Sequence, residues 1–225
     1  KHRFPVLESR PTEPGGPGVD RDSRGRRGQL IGLDQIADLI TEARRRAKGM
    51  SHAEFVVHNA NKPLPLASDW ANLGVCCYAI YYLNDIGAVL DEVKRVLVPD
   101  GRFFVLGPAR NNNHEMRDLH TRLSGVEEPA TITLYRHRIE DEVVPLCRER
   151  WSKVSVVPFY NEVRFTSSSA YGAYYRASPL LARATNDAVA REQLAQRVEA
   201  AVAAQIKAEG AFVIHKEAVG ILAGP

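Results

Sequence analysis

The chain has 225 residues, is 44% hydrophobic and carries a net charge of +3 at pH 7. It is long enough to bury one substantial core, and no run of about eighteen apolar residues predicts a membrane-spanning helix. The positive excess lies in residues 1–28, which hold seven Lys or Arg against four Asp or Glu, whereas the remainder is balanced at 23 against 23. A nucleic-acid partner is therefore not expected.

The N-terminal segment and the cysteines bear on the compartment. The segment KHRFPVLESR lacks the apolar core of a secretory signal peptide. The cysteines, Cys76, Cys77 and Cys147, have the spacing of neither a disulfide framework nor a zinc site. We therefore expect a soluble cytoplasmic protein in a reducing compartment, with no bound metal and no membrane partner.

Residues 1–28 are rich in Pro, Gly and Arg and have poor periodicity, so their composition predicts a loop. Phe4-Pro5-Val6-Leu7 is the one candidate strand in this segment. Pro5 confines it to a sheet edge or to a strand start, because proline cannot donate to a strand ladder.

Strand and helix patterns alternate from Gln29 to Leu106. Alternation of this kind predicts right-handed crossovers and a parallel sheet with helices on both faces. In the first helix, Asp34 is placed to cap the start and Gly49 the end. Pro99-Asp100-Gly101 predicts a turn. The predicted strands are 30–33, 54–57, 73–78 and 102–106, and the predicted helices are about 34–49 and 85–97.

The regular alternation of strand and helix patterns ends after Gly107. The segment 154–165 reads as two strands or as one long strand bent at Pro158. Ser167 is placed to cap a following helix. The remaining expected elements are helices at about 111–123, 136–149 and 186–209 and closing strands at 211–214 and 218–222.

Four blocks between Gln29 and Pro108 carry a family resemblance: LIGLDQIADLITEARRRA, AEFVVHNANKPLPLASDW, VCCYAIYYLND and EVKRVLVPDGRFFVLGP. In order and spacing they resemble the class I S-adenosylmethionine-dependent methyltransferases, particularly the family that includes the ubiquinone and menaquinone enzymes. The resemblance implies one α/β domain with a Rossmann-like, doubly wound and mostly parallel sheet and an antiparallel C-terminal strand. It implies S-adenosylmethionine at the carboxyl ends of the first strands, and an acceptor pocket built from the variable residues 109–185.

The resemblance also implies roles for residues that follow two of the strands. Asp34, with Gln35 beside it, would accept both ribose hydroxyls of the cofactor; the alternative for Asp34 is a helix N-cap. Asn59 stands where the family commonly has an Asp that accepts from the adenine amino group, and Ala60 would lie beside the ring. The alternative for Asn59 is an Asx turn at a strand end.

A further group follows the next strand. By the same resemblance, Cys76 and Tyr78 would lie at the amino-acid end of the cofactor. Tyr81 and Tyr82 occupy a pair often filled by His in relatives, and they would line the methyl-transfer face. Core packing is the alternative interpretation for all four residues.

The family's glycine-rich loop is altered in this chain. Its Gly-x-Gly-x-Gly turn lets the backbone approach the cofactor closely, with a helix N-terminus facing the carboxylate. Counting back from Asp34 places the loop on residues 12–18, where Gly16 and Gly18 match. Pro14 replaces the first glycine and removes an amide donor, and Thr12 replaces the acidic residue.

Another alignment makes Val6-Leu7-Glu8 the first strand, with Glu8 as its acidic end and a longer loop. Two explanations of the altered loop also stay open. The protein has lost methyl transfer and keeps the fold as a binding or scaffold protein or for a different small-molecule reaction, or the segment is aberrant, as from a misread coding frame.

The region after Gly107 holds the candidate acceptor side. His114 is the candidate general base, with a solvated helix residue as the alternative. His114-Glu115 is not followed by His at position 118, which is Asp, so a metalloprotease zinc motif is not formed. An aromatic group would wall a flat acceptor, or pack in the core or in a homodimer: Phe159, Tyr160, Phe165, Tyr171, Tyr174 and Tyr175.

Taken together, these residues predict methyl transfer from S-adenosylmethionine to O, N or C of a small-molecule acceptor. Catalysis would rest mainly on proximity and alignment.

Overall fold

The computed structural model of the protein describes residues 5–9 and 28–225. The chain divides into two compact units. The first unit comprises Lys1–Pro108, His137–Pro158 and Val219–Pro225, and the second comprises Ala109–Arg136 and Phe159–Ala218.

The strands of the described residues form one mixed sheet in the order β3-β2-β1-β4-β5-β7-β6. The pairs β2–β3 and β4–β5 are parallel, and the C-terminal strand is antiparallel, which confirms the predicted fold class. The strands are β1 (Pro5–Ser9), β2 (Gln29–Asp34), β3 (Ala53–Val57), β4 (Ala71–Cys77), β5 (Leu97–Pro108), β6 (Lys153–Phe165) and β7 (Phe212–Gly224).

The predicted helices are present in the predicted order, with one addition, Pro179–Ala184. The segment expected as one helix at 136–149 differs from the prediction: an α-helix that begins at Ala130 ends at Arg138, a π-helical stretch spans Ile139–Val143, and a second α-helix follows over Val144–Arg150. A short 3₁₀ turn, Ile80–Tyr82, follows β4. Within residues 5–9 and 28–225, no helix has the length and apolar character needed to cross a bilayer. The α-helices are α1 (Ala37–Arg46), α2 (Ile86–Val96), α3 (His114–Ser124), α4 (Ala130–Arg138), α5 (Val144–Arg150), α6 (Ser168–Arg176), α7 (Pro179–Ala184) and α8 (Ala188–Glu209).

The direction of β1 departs from the prediction. The strand runs antiparallel to both β2 and β4. Ser9, the last residue of β1, lies opposite Gln29, the first residue of β2. The end of β1 is therefore at the opposite end of β2 from Asp34. Glu8 pairs with Leu30, so the interpretation of Glu8 as the acidic strand end near the cofactor is wrong. Pro5 starts the strand, as its missing amide donor predicts.

One local prediction in the first unit is wrong, and another is confirmed. Asp34 does not cap α1: its Oδ1 accepts from the amide of Ile36 at 2.8 Å, and Ile36 precedes the helix without a side-chain capping bond. The expected turn at 99–101 is present inside the bounds of β5. A Cβ at Gly101 would lie 3.1 Å from Leu97 Cβ and 2.9 Å from the carbonyl oxygen of Val98, a proximity that extended backbone does not allow. The register between β4 and β5 shifts across this turn.

The core of the first unit explains why the strands and helices sit together. Helix α2 buries the stripe that its sequence predicts, while Asp85 Oδ1 accepts from the amide of Ala88 at 2.9 Å and caps its start. On β2, Gly32 leaves room for the ring of Phe55, since a Cβ at Gly32 would lie 2.6 Å from Phe55 Cδ1. The buried stripe of α2 is Ile86, Val89, Leu90, Val93 and Val96.

The second unit has its own core, formed by α3, α6, α7, α8 and part of β7. Tyr171 and Tyr175 are fully buried in it, and Tyr171 meets the rings of Phe165 and Phe212 edge to face. Core packing therefore accounts for these tyrosines. Tyr160, in contrast, is 73% exposed.

Candidate functional site

A cavity of about 380 Å³ opens in the first unit where β2, β3 and β4 end. Its volume lies in the range of small-molecule sites, which are mostly apolar clefts with a few oriented polar groups. Apolar walls and a polar rim line it: Leu33, Asp34, Gln35, Ile36, His58, Asn59, Ala60, Asn61, Leu64, Val75, Cys76, Ala79, Ile80, Tyr82, Leu83, Val89, Val93 and Phe103.

Asp34 is the acidic group of the cavity and is only 9% exposed. Its backbone carbonyl accepts from the amide of His58 at 2.8 Å, which joins the ends of β2 and β3. Its Oδ1 is engaged by Ile36, but no donor within residues 28–225 bonds its Oδ2. The carboxylate therefore keeps one oxygen for a hydroxyl donor. Gln35 lines the cavity beside it and is exposed.

Asn59 forms the Asx turn that was the alternative interpretation. Its Oδ1 accepts from both the backbone amide and the side-chain Nδ2 of Asn61, each at 3.0 Å. Since an amide oxygen has two lone pairs, this oxygen is occupied. Asn59 and Ala60 nevertheless line the cavity. Next to them, His58 Nε2 is buried without a hydrogen-bond partner among the described residues.

Cys76 lines the cavity and is buried. Burial raises the pKa of its thiol to about 12, so it stays protonated at neutral pH and is no nucleophile. Tyr78 is not among the lining residues. It adopts a left-handed backbone conformation with φ of 55°, and its amide donates to the carbonyl of Leu106 at 2.7 Å.

The two tyrosines of the 3₁₀ turn are divided between core and cavity. Tyr81 is buried, and burial raises the pKa of its phenol. Tyr82 is about half exposed and lines the cavity. Arg138 stabilises this 3₁₀ turn, since its Nη1 donates to the carbonyls of Tyr81 at 3.0 Å and Leu83 at 2.7 Å.

His114 lies at the start of α3 in the second unit. Its Nδ1 is 3.3 Å from the carbonyl oxygen of Asn111, and its Nε2 is 3.3 Å from Glu115 Oε1. Its ring stacks on that of His215, with centroids 6.0 Å apart. Glu115 also accepts from the ring Nδ1 and the backbone amide of His215. The sequence did not indicate the pairing of Glu115 with His215, because 100 positions separate the two residues.

Gly16 and Gly18 lie outside the described residues. The sequence also missed much of the cavity wall, notably Leu64, Val89, Val93 and Phe103. Within residues 5–9 and 28–225, no three His, Cys, Asp or Glu side chains are arranged to hold a metal ion.

Comparison with known proteins finds methyltransferases by sequence and by fold. The family of methyltransferase domains matches residues 16–105. A 2-phytyl-1,4-naphtoquinone methyltransferase of Trichormus variabilis is 30% identical over 96 residues, 41% of this chain and 42% of the relative. The methyltransferase YcgJ of Bacillus subtilis, itself uncharacterised, is 26% identical over 106 residues, 46% of this chain and 42% of that protein. The chain thus matches about two fifths of the length of these relatives.

Two solved structures share the fold over most of the chain. One, provisionally named a methyltransferase from an antibiotic biosynthesis pathway of Anabaena variabilis, has a TM-score of 0.59 at 16% identity, covering 84% of this chain and 80% of that one. The other, a provisionally named methyltransferase of Bacillus halodurans, has a TM-score of 0.53 at 12% identity, covering 86% and 81%. At such identities, the likeness concerns the fold.

Proposed function

We propose that the protein, whose residues 16–105 match the family of methyltransferase domains, moves a methyl group from S-adenosylmethionine to O, N or C of a small-molecule acceptor. One observation carries the proposal. A nearly buried carboxylate, Asp34, stands at the end of β2 on a largely apolar cavity, with one oxygen free of partners among residues 28–225.

The cavity fits the adenosine half of this cofactor. Asp34 Oδ2 would accept from the ribose hydroxyls, and apolar walls such as Leu64 suit a flat purine ring. His58 Nε2, buried and unpartnered within the described residues, can pair with a polar edge of the ring. Backbone groups at Asn59 and Ala60 would serve the adenine amino group, since Asn59 Oδ1 is occupied by Asn61.

When bound, S-adenosylmethionine supplies a methyl group on a positively charged sulfur, which is a good leaving group. The protein contributes alignment of the reactants, which lowers the entropic part of the barrier. Cys76 and Tyr82 would border the reacting end and limit its exposure to water. The proposed roles of Gly16 and Gly18 at the methionine carboxylate, and of Tyr78, rest on the family resemblance.

We propose His114 as the general base toward the acceptor. Its Nε2 lies 3.3 Å from Glu115 Oε1, and its Nδ1 lies 3.3 Å from the carbonyl oxygen of Asn111, so both contacts orient the ring. A flat apolar acceptor is the proposed class, supported by the name of the naphtoquinone-methylating relative. A cytoplasmic location and a homodimer are further proposals, which rest on the sequence alone.

The test compares two single variants, Asp34→Ala and Asp38→Ala. Asp38 is an exposed carboxylate in the first turn of α1, so it controls for the loss of charge near the site. We expect D34A to weaken binding of S-adenosylhomocysteine by roughly 10- to 100-fold, because hydrogen bonds to a charged group contribute about 1.5–3 kcal/mol. D38A should bind as the wild type does.

Turnover is followed as S-adenosylhomocysteine released with a panel of quinols and phenols. Loss of release in D34A but not in D38A is the predicted pattern. Equal affinity and turnover in D34A and the wild type would show that Asp34 does not bind the cofactor, and would contradict the proposal.

A further inference from the structure

Two arginine side chains of the second unit converge on one backbone oxygen. Arg136 Nε donates to the carbonyl of Arg110 at 2.9 Å, and Arg117 Nη2 lies 3.5 Å from the same oxygen. Arg117 Nη1 donates to the carbonyl of Asn112. Two positively charged guanidinium groups are thereby held side by side.

Among the described residues, one of the two charges, that of Arg136, has a close counter-ion. Arg136 forms an ion pair with Glu128, in which each side chain is 15% exposed, and Thr133 donates to the same carboxylate at 3.2 Å. Within residues 28–225, the hydrogen bonds of Arg117 go to backbone carbonyls, and no carboxylate forms an ion pair with it.

The surroundings penalise this second charge. Burial lowers the pKa of Arg117, and the neighbouring Arg136 lowers it further; the carboxylates Glu128, Asp118 and Glu115 offset this only in part. A half-buried charge without a counter-ion is costly. A bound anion would remove that cost.

We propose that Arg117 and Arg136 form a binding site for an oxyanion, the phosphate or carboxylate group of a small molecule. Each guanidinium has five N–H donors in a planar fork. Arg117 and Arg136 each donate from two of their nitrogen atoms to partners among the described residues. The remaining donors match the paired oxygens of a phosphate or carboxylate.

The test measures binding of inorganic phosphate, pyrophosphate and benzoate to the full chain by calorimetry, at constant ionic strength set with chloride. Arg117→Gln removes the unpaired charge. Arg197→Gln is the matched control, because Arg197 is an exposed arginine of the same unit that also donates to a backbone carbonyl, that of Leu123, at 2.7 Å. Arg117→Lys keeps the charge and removes the fork.

We expect saturable binding to the wild type and to R197Q, a loss of about tenfold or more in R117Q, and an intermediate loss in R117K. Stronger binding of the two phosphates would assign the site to a phosphate group, and stronger binding of benzoate to a carboxylate. Undiminished binding by R117Q, or no binding of any of the three to the wild type, would overturn the proposal. Circular dichroism establishes whether each variant is folded. If R117Q does not fold, the anion affinity of R117K relative to the wild type decides whether Arg117 binds the anion. No cofactor enters this test, so its outcome is separate from that of methyl transfer.

Discussion

At the scale of single residues, Glu115 and His215 form a coupled titratable pair in the second unit. The carboxylate accepts from the ring and from the backbone of His215. Hydrogen bonding to Glu115 raises the pKa of His215. Burial raises the pKa of Glu115, but its hydrogen bonds outweigh burial and leave that pKa below its ordinary value.

These shifts fix the direction of the pH dependence. The contribution of His215 to stability is fully present below its ordinary pKa of 6.5 and is lost as pH rises through its raised folded value. The contribution of Glu115 is present above its ordinary pKa of 4.5 and is lost as pH falls through its lowered folded value. The pair therefore stabilises the fold most between those two ordinary values.

We expect His215→Gln to lower the free energy of unfolding more at about pH 5.5 than at about pH 9. Urea denaturation at both pH values measures the difference. In an E115Q background the effect of H215Q should largely disappear, because the partner is gone. An H215Q effect of the same size at both pH values, in both backgrounds, would show that the pair is not coupled.

Among the elements, the 3₁₀ turn after β4 depends on a helix that follows it by more than fifty residues. Arg138, at the end of α4, donates to carbonyls on both sides of Tyr82 and pairs with Glu142. Its side chain is 11% exposed. Because Tyr82 and Leu83 line the cavity, Arg138 is a positioning residue for the proposed cofactor site.

Arg138→Met should lower the free energy of unfolding by roughly 1–3 kcal/mol, since two carbonyls and a carboxylate lose their donor. It should also weaken S-adenosylhomocysteine binding by a few-fold, about 0.5–1 kcal/mol. Arg148→Met is the matched control, because Arg148 is an exposed arginine of α5. Chemical denaturation and calorimetry give the two readouts. Unchanged affinity in a destabilised R138M would reduce Arg138 to a purely structural residue.

Elements with strong periodicity were predictable from the sequence, as the stripe of α2 and the run of β2 illustrate. The direction of β1 was not, because the alternation of side chains along a strand is the same in both directions. The sequence found Asp34 and Asn59 at strand ends. It could not find Val93 or Phe103 as cavity walls, since a periodic pattern reports burial but not what the side chain is buried against.

At the scale of the whole molecule, the family match ends at residue 105, just before the second unit begins at Ala109. The family match therefore bears on the proposed cofactor side, whereas the likeness of the solved structures over most of the chain concerns the fold. In the second unit, long-range pairs such as Glu115 with His215, and the meeting of Arg117 with Arg136, come from tertiary packing, which local sequence patterns do not encode.

The central claim is that this chain binds S-adenosylmethionine although its glycine-rich loop is altered. Calorimetric titration of the full chain with S-adenosylmethionine tests it most directly. We predict saturable 1:1 binding with a dissociation constant in the micromolar range, equivalent to roughly −7 to −8 kcal/mol, and competition by S-adenosylhomocysteine. No binding heat at cofactor concentrations up to about 1 mM, a limit of roughly −4 kcal/mol, would contradict the claim.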